Sequence, residues 1–511
     1  MAHPSYMNLL QPELFTRIPE SSDIFLESER LTVTYGELAG ITHAIDLQVS
    51  RQDLFYSQQN PLLVPAIPGE SLILFLAACQ LLKLPVFPFN PDLSEEEITT
   101  IFASFPNSCL VTLGGQPDSI AVSTFRKLTI EIPRQADARP DLINRYCKEL
   151  PAQPEKILLY LHTSGTSGPT KIVPVKNRQM LFAAQANAQQ LWPGKGSKWL
   201  LCLPLHHIGG LSIIGRSLIY GSAVHYAGKF DEQRVGELLA HDSAVKIASL
   251  VPTMLKRLLD SGQTGFGPAL TGILLGGGPL DAVLVQQALR NRIPIVSSYG
   301  MTETCAQIAA HEITGTEKLP EDGSLTGKLF APNEIQIRDE HHSSLPRNHA
   351  GQIYVRGPQV FDGYVNKETV PDHDIFDKDG YFNTGDYGYL DSGGRLIIQS
   401  RRTDLIVTGG ENVSPFEVEA ALKELEGIEE AVVFGLDDEE WGSRVAAAIL
   451  PKDATTIWTA SSLKTRLSGR LKSFQIPKTI FTRSGEFPRT SSGKIKRKEI
   501  AGYYRALNKK S

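Results

Sequence analysis

Short β-branched and apolar runs alternate with segments of helical periodicity through the first four hundred residues, the pattern of a mainly parallel sheet covered by helices. Ile157-Leu-Leu-Tyr-Leu161 reads as one strand. Lys246-Ile-Ala-Ser-Leu-Val251 reads as another, followed after Pro252 by a helix with Met254, Leu255, Leu258 and Leu259 on its apolar face. The longest apolar stretch, Ser71 to Phe89, is broken by Gln80, Lys83 and Pro85. It predicts a buried helix running into a buried strand, not a bilayer span. Leu31-Thr-Val-Thr-Tyr35 predicts an early strand, and Ser94 with Glu97 a capping box at a helix start. From Gly323 to Ser400 short alternating strands appear (Glu334–Arg338, Gly351–Arg356, Arg395–Gln399) between glycines and turns, as in a small β-barrel or antiparallel subdomain. Beyond Arg402, Ser414-Pro-Phe-Glu417 predicts a helix with an N-cap, a first-position proline and a capping-box glutamate. Its apolar face is Val418, Ala421, Leu422 and Leu425, Gly427 ends it, and a strand follows over Ala431–Leu436. The expected fold is α/β, with a large N-terminal domain of parallel sheets, helices and the β-barrel subdomain over residues 1–402, and a smaller α+β domain over 403–511.

At 511 residues the chain is too long for one hydrophobic core, in keeping with that division. The formal charge of −5 supplies no basic field of the kind nucleic-acid binding needs, so no nucleic-acid partner is expected. The basic cluster Lys494, Lys496, Arg497 and Lys498 reads by default as a solvated face. Five scattered cysteines (Cys79, Cys109, Cys147, Cys202, Cys305) without a CxxC pair imply neither a disulfide framework nor a structural zinc site. The N-terminal residues lack a charged and apolar leader. A cytoplasmic protein without membrane insertion is expected, and the sequence leaves open whether it forms a homo-oligomer.

Thr163-Ser164-Gly165-Thr166-Ser167-Gly168-Pro169-Thr170-Lys171 follows the strand at Ile157–Leu161 directly. Glycines let backbone N–H groups approach an anion, the hydroxyls add donors, and Lys171 adds charge. Chemically this is a phosphate cradle, although composition alone also fits a Ser/Gly-rich surface turn. It is not a Walker A loop, whose GxxxxGK[ST] spacing is absent. The segment resembles the TSGTTGxPKG loop of the adenylate-forming superfamily, which contains acyl-CoA synthetases, luciferases and adenylation domains. There it holds the β- and γ-phosphates of ATP. Thr170 and Ile172 stand where that pattern has proline and glycine; the lysine is kept.

The superfamily's other motifs follow in order. Ser298-Tyr299-Gly300-Met301-Thr302-Glu303 resembles the YGxTE segment, which implies a tyrosine on adenine, a threonine at the α-phosphate and Glu303 as a Mg²⁺ ligand, a role suited to a hard carboxylate oxygen. Gly276-Gly277-Gly278 resembles the loop lining the adenine and acyl pockets. Tyr381-Phe-Asn-Thr-Gly-Asp386 resembles the [YF]xTGD motif, whose acceptor-only aspartate takes both ribose hydroxyls. Arg401 corresponds to an arginine at ribose and phosphate. Pro488-Arg-Thr-Ser-Ser-Gly-Lys494-Ile495 resembles PRTxxGKIxR, and the resemblance implies that Lys494 bridges the substrate carboxylate and the α-phosphate. Gly409-Gly410-Glu411-Asn412 matches the GGEN loop of CoA ligases, which lines the pantetheine tunnel after adenylation; Thr403 occupies the hinge position of a mobile C-terminal domain.

Pro204-Leu-His206-His207-Ile-Gly-Gly210 matches the segment that closes the acyl pocket, with His207 at the gate position and His206 given no role. The aspartate with which amino-acid-activating members bind an ammonium group is absent between Leu201 and Leu218. Leu203–Gly221 and Val251–Leu258 resemble the o-succinylbenzoate–CoA ligases of menaquinone and phylloquinone biosynthesis. For such a diacid, Ser212 and Arg216 are candidates for the distal carboxylate, although Arg216 could equally lie on a helix surface. The resemblance implies an ATP-dependent, AMP-forming ligase with ATP, Mg²⁺, coenzyme A and a small carboxylic acid as its partners. Another aryl- or medium-chain acyl-CoA ligase, an adenylation enzyme loading a carrier protein, and a non-catalytic protein of the same fold remain alternatives.

Overall fold

The computed structural model describes all residues except 1–5, 12–18, 52–59, 116–125, 134, 164–170, 193, 263–264, 279, 281, 317–318, 321–322, 366–374, 402–403, 410, 439–440, 454–456, 491–494 and 509–511, and the side chains of 6, 400, 401, 412 and 508. Strands β1 (Ile24–Glu27) and β2 (Thr32–Thr34) begin the chain's sheet structure. Strands β3 (Leu62–Pro65), β4 (Val86–Phe89), β5 (Cys109–Leu113), β6 (Arg126–Ile130), β7 (Ile157–Thr163) and β8 (Lys171–Lys176) then form a sheet in the order β6-β5-β3-β4-β7-β8. All its ladders are parallel except β7–β8.

A second sheet takes β9 (Lys198–Leu201), β10 (Ala223–Tyr226), β11 (Val245–Leu250), β12 (Gly272–Leu275) and β13 (Ile295–Met301) as parallel strands beside β1, in the order β13-β12-β11-β9-β10-β1-β2. It continues through β14 (Ala306–Ile313) into the antiparallel strands β15 (Ser324–Leu329), β16 (Glu334–Arg338), β17 (Gly351–Arg356), β18 (Phe382–Leu390) and β19 (Leu396–Arg401). Expected and observed strands agree closely at Glu334–Arg338 and Gly351–Arg356. The strand expected at Arg395–Gln399 instead ends at Arg401, so the backbone of Arg401 lies across from Asp386.

Side-chain alternation explains the layering. In β11 and β12, Ile247 and Leu274 enter a core shared by both sheets and by helices 35–50, 70–82, 177–188 and 208–220. Their neighbours Ala248, Leu250, Ile273 and Leu275 face the opposite way, onto helices 232–241, 252–260 and 282–290. A strand buried on both faces must be apolar at successive positions, which is why these runs lack the clean alternation of a one-faced sheet. The Lys198 ammonium lies 2.5 Å from Glu27 and 2.8 Å from Asp242, tying β1 to this sheet.

After β20 (Ile406–Thr408) and β21 (Glu411–Val413), a three-stranded sheet forms from β22 (Ile428–Asp438), β23 (Gly442–Pro451) and β24 (Thr479–Thr482). One face, with Ala431, Val433, Val445 and Ala447, packs on helices 415–423 and 460–467; the other, with Val432, Phe434 and Ala446, packs on helix 497–508. The capping box forms at Ser94, whose N–H donates to Glu97 Oε2 at 2.8 Å. It does not form at Ser414. That hydroxyl donates to the Gln399 carbonyl at 2.9 Å, and Glu417 accepts from Gln475 Nε2 at 2.6 Å, so both partners are drawn into tertiary contacts. Arg497 also departs from the solvated-face reading: its guanidinium pairs with Glu419 and donates to the Val433 carbonyl at 2.7 Å.

Among the described residues, no helix is long and apolar enough to cross a membrane.

Candidate active site

Several of the described motif residues stand at the ends of strands. Because β9, β11, β12 and β13 are parallel, Gly276, Ser298–Met301 and the segment leading to His207 all emerge at one edge of the second sheet, the edge where open α/β sheets hold ligands. Ser298 Oγ donates to the Leu275 carbonyl at 2.9 Å and crowds Gly276, where a Cβ would lie 2.8 Å from that oxygen. Gly277, at φ 77°, occupies the left-handed region and is exposed together with Gly278. This leaves bare backbone over which a flat base can lie. Tyr299 is 8% exposed and its hydroxyl donates to Asp386 Oδ2 at 2.7 Å, orienting the carboxylate proposed for the ribose hydroxyls. Asp386 sits beyond a tight turn: its N–H donates to Thr384 Oγ1 at 3.1 Å, and Gly385 adopts φ 74°.

Thr302–Thr304 forms a single 3-10 turn, pinned where Thr304 Oγ1 accepts from the Met301 N–H at 3.0 Å and donates to the Ala306 carbonyl at 2.8 Å. Thr302 is half-buried. Glu303 is 9% exposed, and its Oε1 accepts a 2.7 Å hydrogen bond from Tyr364. The ring of Tyr364 lies beneath the Lys171 ammonium, 5.0 Å from the centroid. A buried carboxylate with one oxygen fixed and no hydrogen bond to the other among the described residues suits a hard divalent cation, so the residues present fit Mg²⁺. Thr163 and Lys171 pair in register across β7–β8, framing Ser164, Gly165, Thr166, Ser167 and Gly168, which lie outside the described residues.

In the segment expected to close an acyl pocket, His207 precedes helix 208–220 and its carbonyl accepts from the Leu211 N–H at 3.2 Å. Gly210 is required there, since a Cβ would lie 2.6 Å from the Pro204 carbonyl oxygen. Ser212 is buried and donates to the Gly209 carbonyl at 3.0 Å. Arg216 does not lie on a helix surface: it is 1% exposed, sits over the Trp199 ring at 5.4 Å, and its Nε and Nη2 find no hydrogen-bond partner among the described residues. Its electrostatic neighbours are Tyr220 and Cys305, the latter directly after the Thr302–Thr304 turn, and burial lowers its pKa.

His206, to which the motif assigns no role, adjoins His207. Its ring lies 4.3 Å from that of His207, and both its nitrogens are buried without a partner among the described residues. Burial pushes its pKa down to about 4, against a smaller opposing effect of Asp92. Only tertiary packing distinguishes two adjacent histidines in this way. Between pH 6.5 and 4 the unfolded chain takes up a proton that the folded His206 refuses, so stability falls on acidification through that window. His206→Phe should flatten this dependence, removing a pH-linked loss that reaches about 3 kcal/mol near pH 4 in urea unfolding series. Parallel curves would remove the assignment.

In the C-terminal region, Gly409 adopts φ 57° and its N–H donates to the Trp441 carbonyl at 2.9 Å. A Cβ on Gly409 would lie 2.5 Å from the Trp441 ring. Glu411 is exposed at the start of β21, paired with Thr408. Gly410, Thr403, Lys494 and the side chain of Arg401 lie outside the described residues.

Residues 58–365 match the model of the AMP-binding enzyme family, and residues 417–494 that of the AMP-binding enzyme C-terminal domain. The chain belongs to the AMP-binding enzyme family. A 2-succinylbenzoate–CoA ligase of Listeria innocua is 33% identical over 430 residues, 84% of this chain and 86% of the relative. The o-succinylbenzoate CoA synthetase of Bacillus subtilis, solved with the acyl-adenylate intermediate OSB-AMP, matches with a TM-score of 0.78 at 28% identity over 98% of both chains. The same enzyme in complex with ATP and magnesium ion matches with a TM-score of 0.80 at 28% identity, over 98% of this chain and 99% of that one.

Proposed function

We propose that the chain joins o-succinylbenzoate to coenzyme A at the expense of ATP, forming o-succinylbenzoyl-CoA, AMP and pyrophosphate in menaquinone or phylloquinone biosynthesis. The observation that carries this reading is the likeness to a 2-succinylbenzoate–CoA ligase along 84% of the chain. The emergence of Gly276, Ser298–Met301 and the segment leading to His207 at one edge of the second sheet supports it. In the first half-reaction a substrate carboxylate oxygen attacks the α-phosphorus and pyrophosphate leaves. In the second, the coenzyme A sulfur attacks the acyl carbonyl carbon, AMP leaves, and the thiol proton passes to solvent.

Each residue has a part in this scheme. Lys171 and the Thr163–Gly168 segment hold the distal phosphates. Tyr299 and the Gly276–Gly278 backbone hold the base, while Asp386 and Arg401 hold the ribose. Thr302 donates to the α-phosphate. Glu303 would hold Mg²⁺, which supplies charge neutralisation to the triphosphate. His207 closes the acyl pocket, and Lys494 offsets the charge that builds as one anion attacks another. Residues 403–511 act as a mobile domain turning at Thr403, so that the Gly409-Gly410-Glu411 loop replaces Lys494 for thioester formation.

A buried arginine with unsatisfied N–H groups costs stability unless an anion meets it in some state, and a dicarboxylate supplies one. Arg216→Met is therefore expected to raise KM for o-succinylbenzoate more than tenfold while KM for ATP stays unchanged, on the order of magnitude for a charged hydrogen bond. Unchanged values for both would make Arg216 purely structural. The function as a whole is tested by ATP–pyrophosphate exchange across a panel of carboxylic acids, followed by thioester analysis with coenzyme A and with a phosphopantetheinyl carrier protein. Exchange that ignores o-succinylbenzoate but responds to another aryl acid would reject the substrate. Transfer to carrier protein alone would reject the acceptor.

A further inference from the structure

Glu303 and Lys171 come from different sheets, yet one side chain touches both. Tyr364 follows β17 at a point where the chain is held to each partner's backbone. The Phe361 N–H donates to the Glu303 carbonyl at 2.8 Å, and the Val365 N–H donates to the Ile172 carbonyl at 3.0 Å. Tyr364 is 3% exposed, and its ring packs edge-on against Phe361 with centroids 4.8 Å apart. From this fixed seat its hydroxyl donates to Glu303 Oε1 at 2.7 Å, and its ring face carries the Lys171 ammonium at 5.0 Å.

We propose that Tyr364 is a positioning residue for ATP, its hydroxyl aiming the Glu303 carboxylate at the divalent cation and its ring placing the Lys171 ammonium at the distal phosphates. The proposal rests on the ATP-binding part of the functional reading and not on the identity of the acid. The physical basis has two separable parts. A carboxylate in a buried site rotates about its terminal torsion unless a hydrogen bond holds it, and an aimed ligand loses less entropy when a metal binds. The ring face attracts the ammonium and limits where the four-carbon stem of Lys171 can go.

Two substitutions separate the parts. Y364F keeps the ring and loses the hydroxyl; Y364L loses both. ATP affinity is measured by titration calorimetry against free Mg²⁺, with no acid or coenzyme A present, and melting temperatures are recorded alongside. For Y364F the half-saturating Mg²⁺ is expected to rise about tenfold, with ATP affinity at saturating Mg²⁺ close to wild type. Y364L is expected to show the same shift and also a weaker ATP affinity at saturating Mg²⁺. In a Glu303→Gln background Y364F should add nothing, because the group it aims has gone.

An unchanged Mg²⁺ dependence in either variant overturns the proposal. So does a Y364F effect of equal size in the Glu303→Gln background, which would mark the hydroxyl as merely structural. Wild-type ATP binding that ignores Mg²⁺ would overturn both the assignment of Glu303 and this inference. A wild type that binds MgATP but activates no aryl acid would overturn only the proposed substrate.

Discussion

Lys494→Ala is expected to slow acyl-adenylate formation by about a hundredfold or more, the loss typical of removing one preorganised electrostatic group, while thioester formation from supplied adenylate stays near wild type. The asymmetry follows from the charges. The first step drives a carboxylate onto a phosphate, so a nearby ammonium lowers the barrier. The second step begins from a mixed anhydride whose carboxylate charge has gone, and in the proposed alternation Lys494 has by then been carried away with residues 403–511. Pyrophosphate release in a single turnover and thioester yield from synthetic adenylate measure the two steps separately. Equal losses in both would show that Lys494 supports the fold or both reactions, and the proposed division of labour would fail.

Gly300→Ala is expected to lower stability by about 3 kcal/mol, the upper end for overpacking, and to weaken ATP binding. A Cβ on Gly300 would lie 1.9 Å from the Ala306 carbonyl oxygen and 2.5 Å from its carbon, both backbone atoms of the neighbouring strand. The β13–β14 ladder changes register between Tyr299 and Gly300, so strand β14 has to move to make room. That movement acts on Tyr299, which orients Asp386, and on the turn that carries Thr302 and Glu303. Urea unfolding and ATP titration calorimetry on the same preparation test this. A variant that unfolds and binds ATP as wild type does would mean that the strands separate there at little cost, and that Gly300 is dispensable.

Sequence and tertiary structure divide the explanation of this protein along a physical line. Local signals were legible along the chain: the apolar run of β11 with the helix after Pro252, the alternating strands at Glu334–Arg338 and Gly351–Arg356, and the capping box at Ser94. Each depends on residues a few positions apart, and so does each motif that resembles the adenylate-forming superfamily. The AMP-binding family was legible for the same reason, since chemistry at strand ends demands short runs of particular residues. What the sequence could not decide are contacts between distant residues. Ser414 and Glu417 have the spacing of a capping box, yet Gln399 and Gln475 claim their side chains. Arg497 sits in a basic run, yet Glu419, 78 residues away, pairs with it. Arg216 could have lain on a helix surface, and packing against Trp199 buries it. Neighbouring His206 and His207 differ only in what surrounds them, and Tyr364 joins Glu303 to Lys171 across 61 positions on one side and the gap between two sheets on the other. Periodicity and capping are properties of neighbouring residues and survive in any fold that keeps them. Burial, pairing and the aim of a catalytic side chain exist only once the sheets have packed.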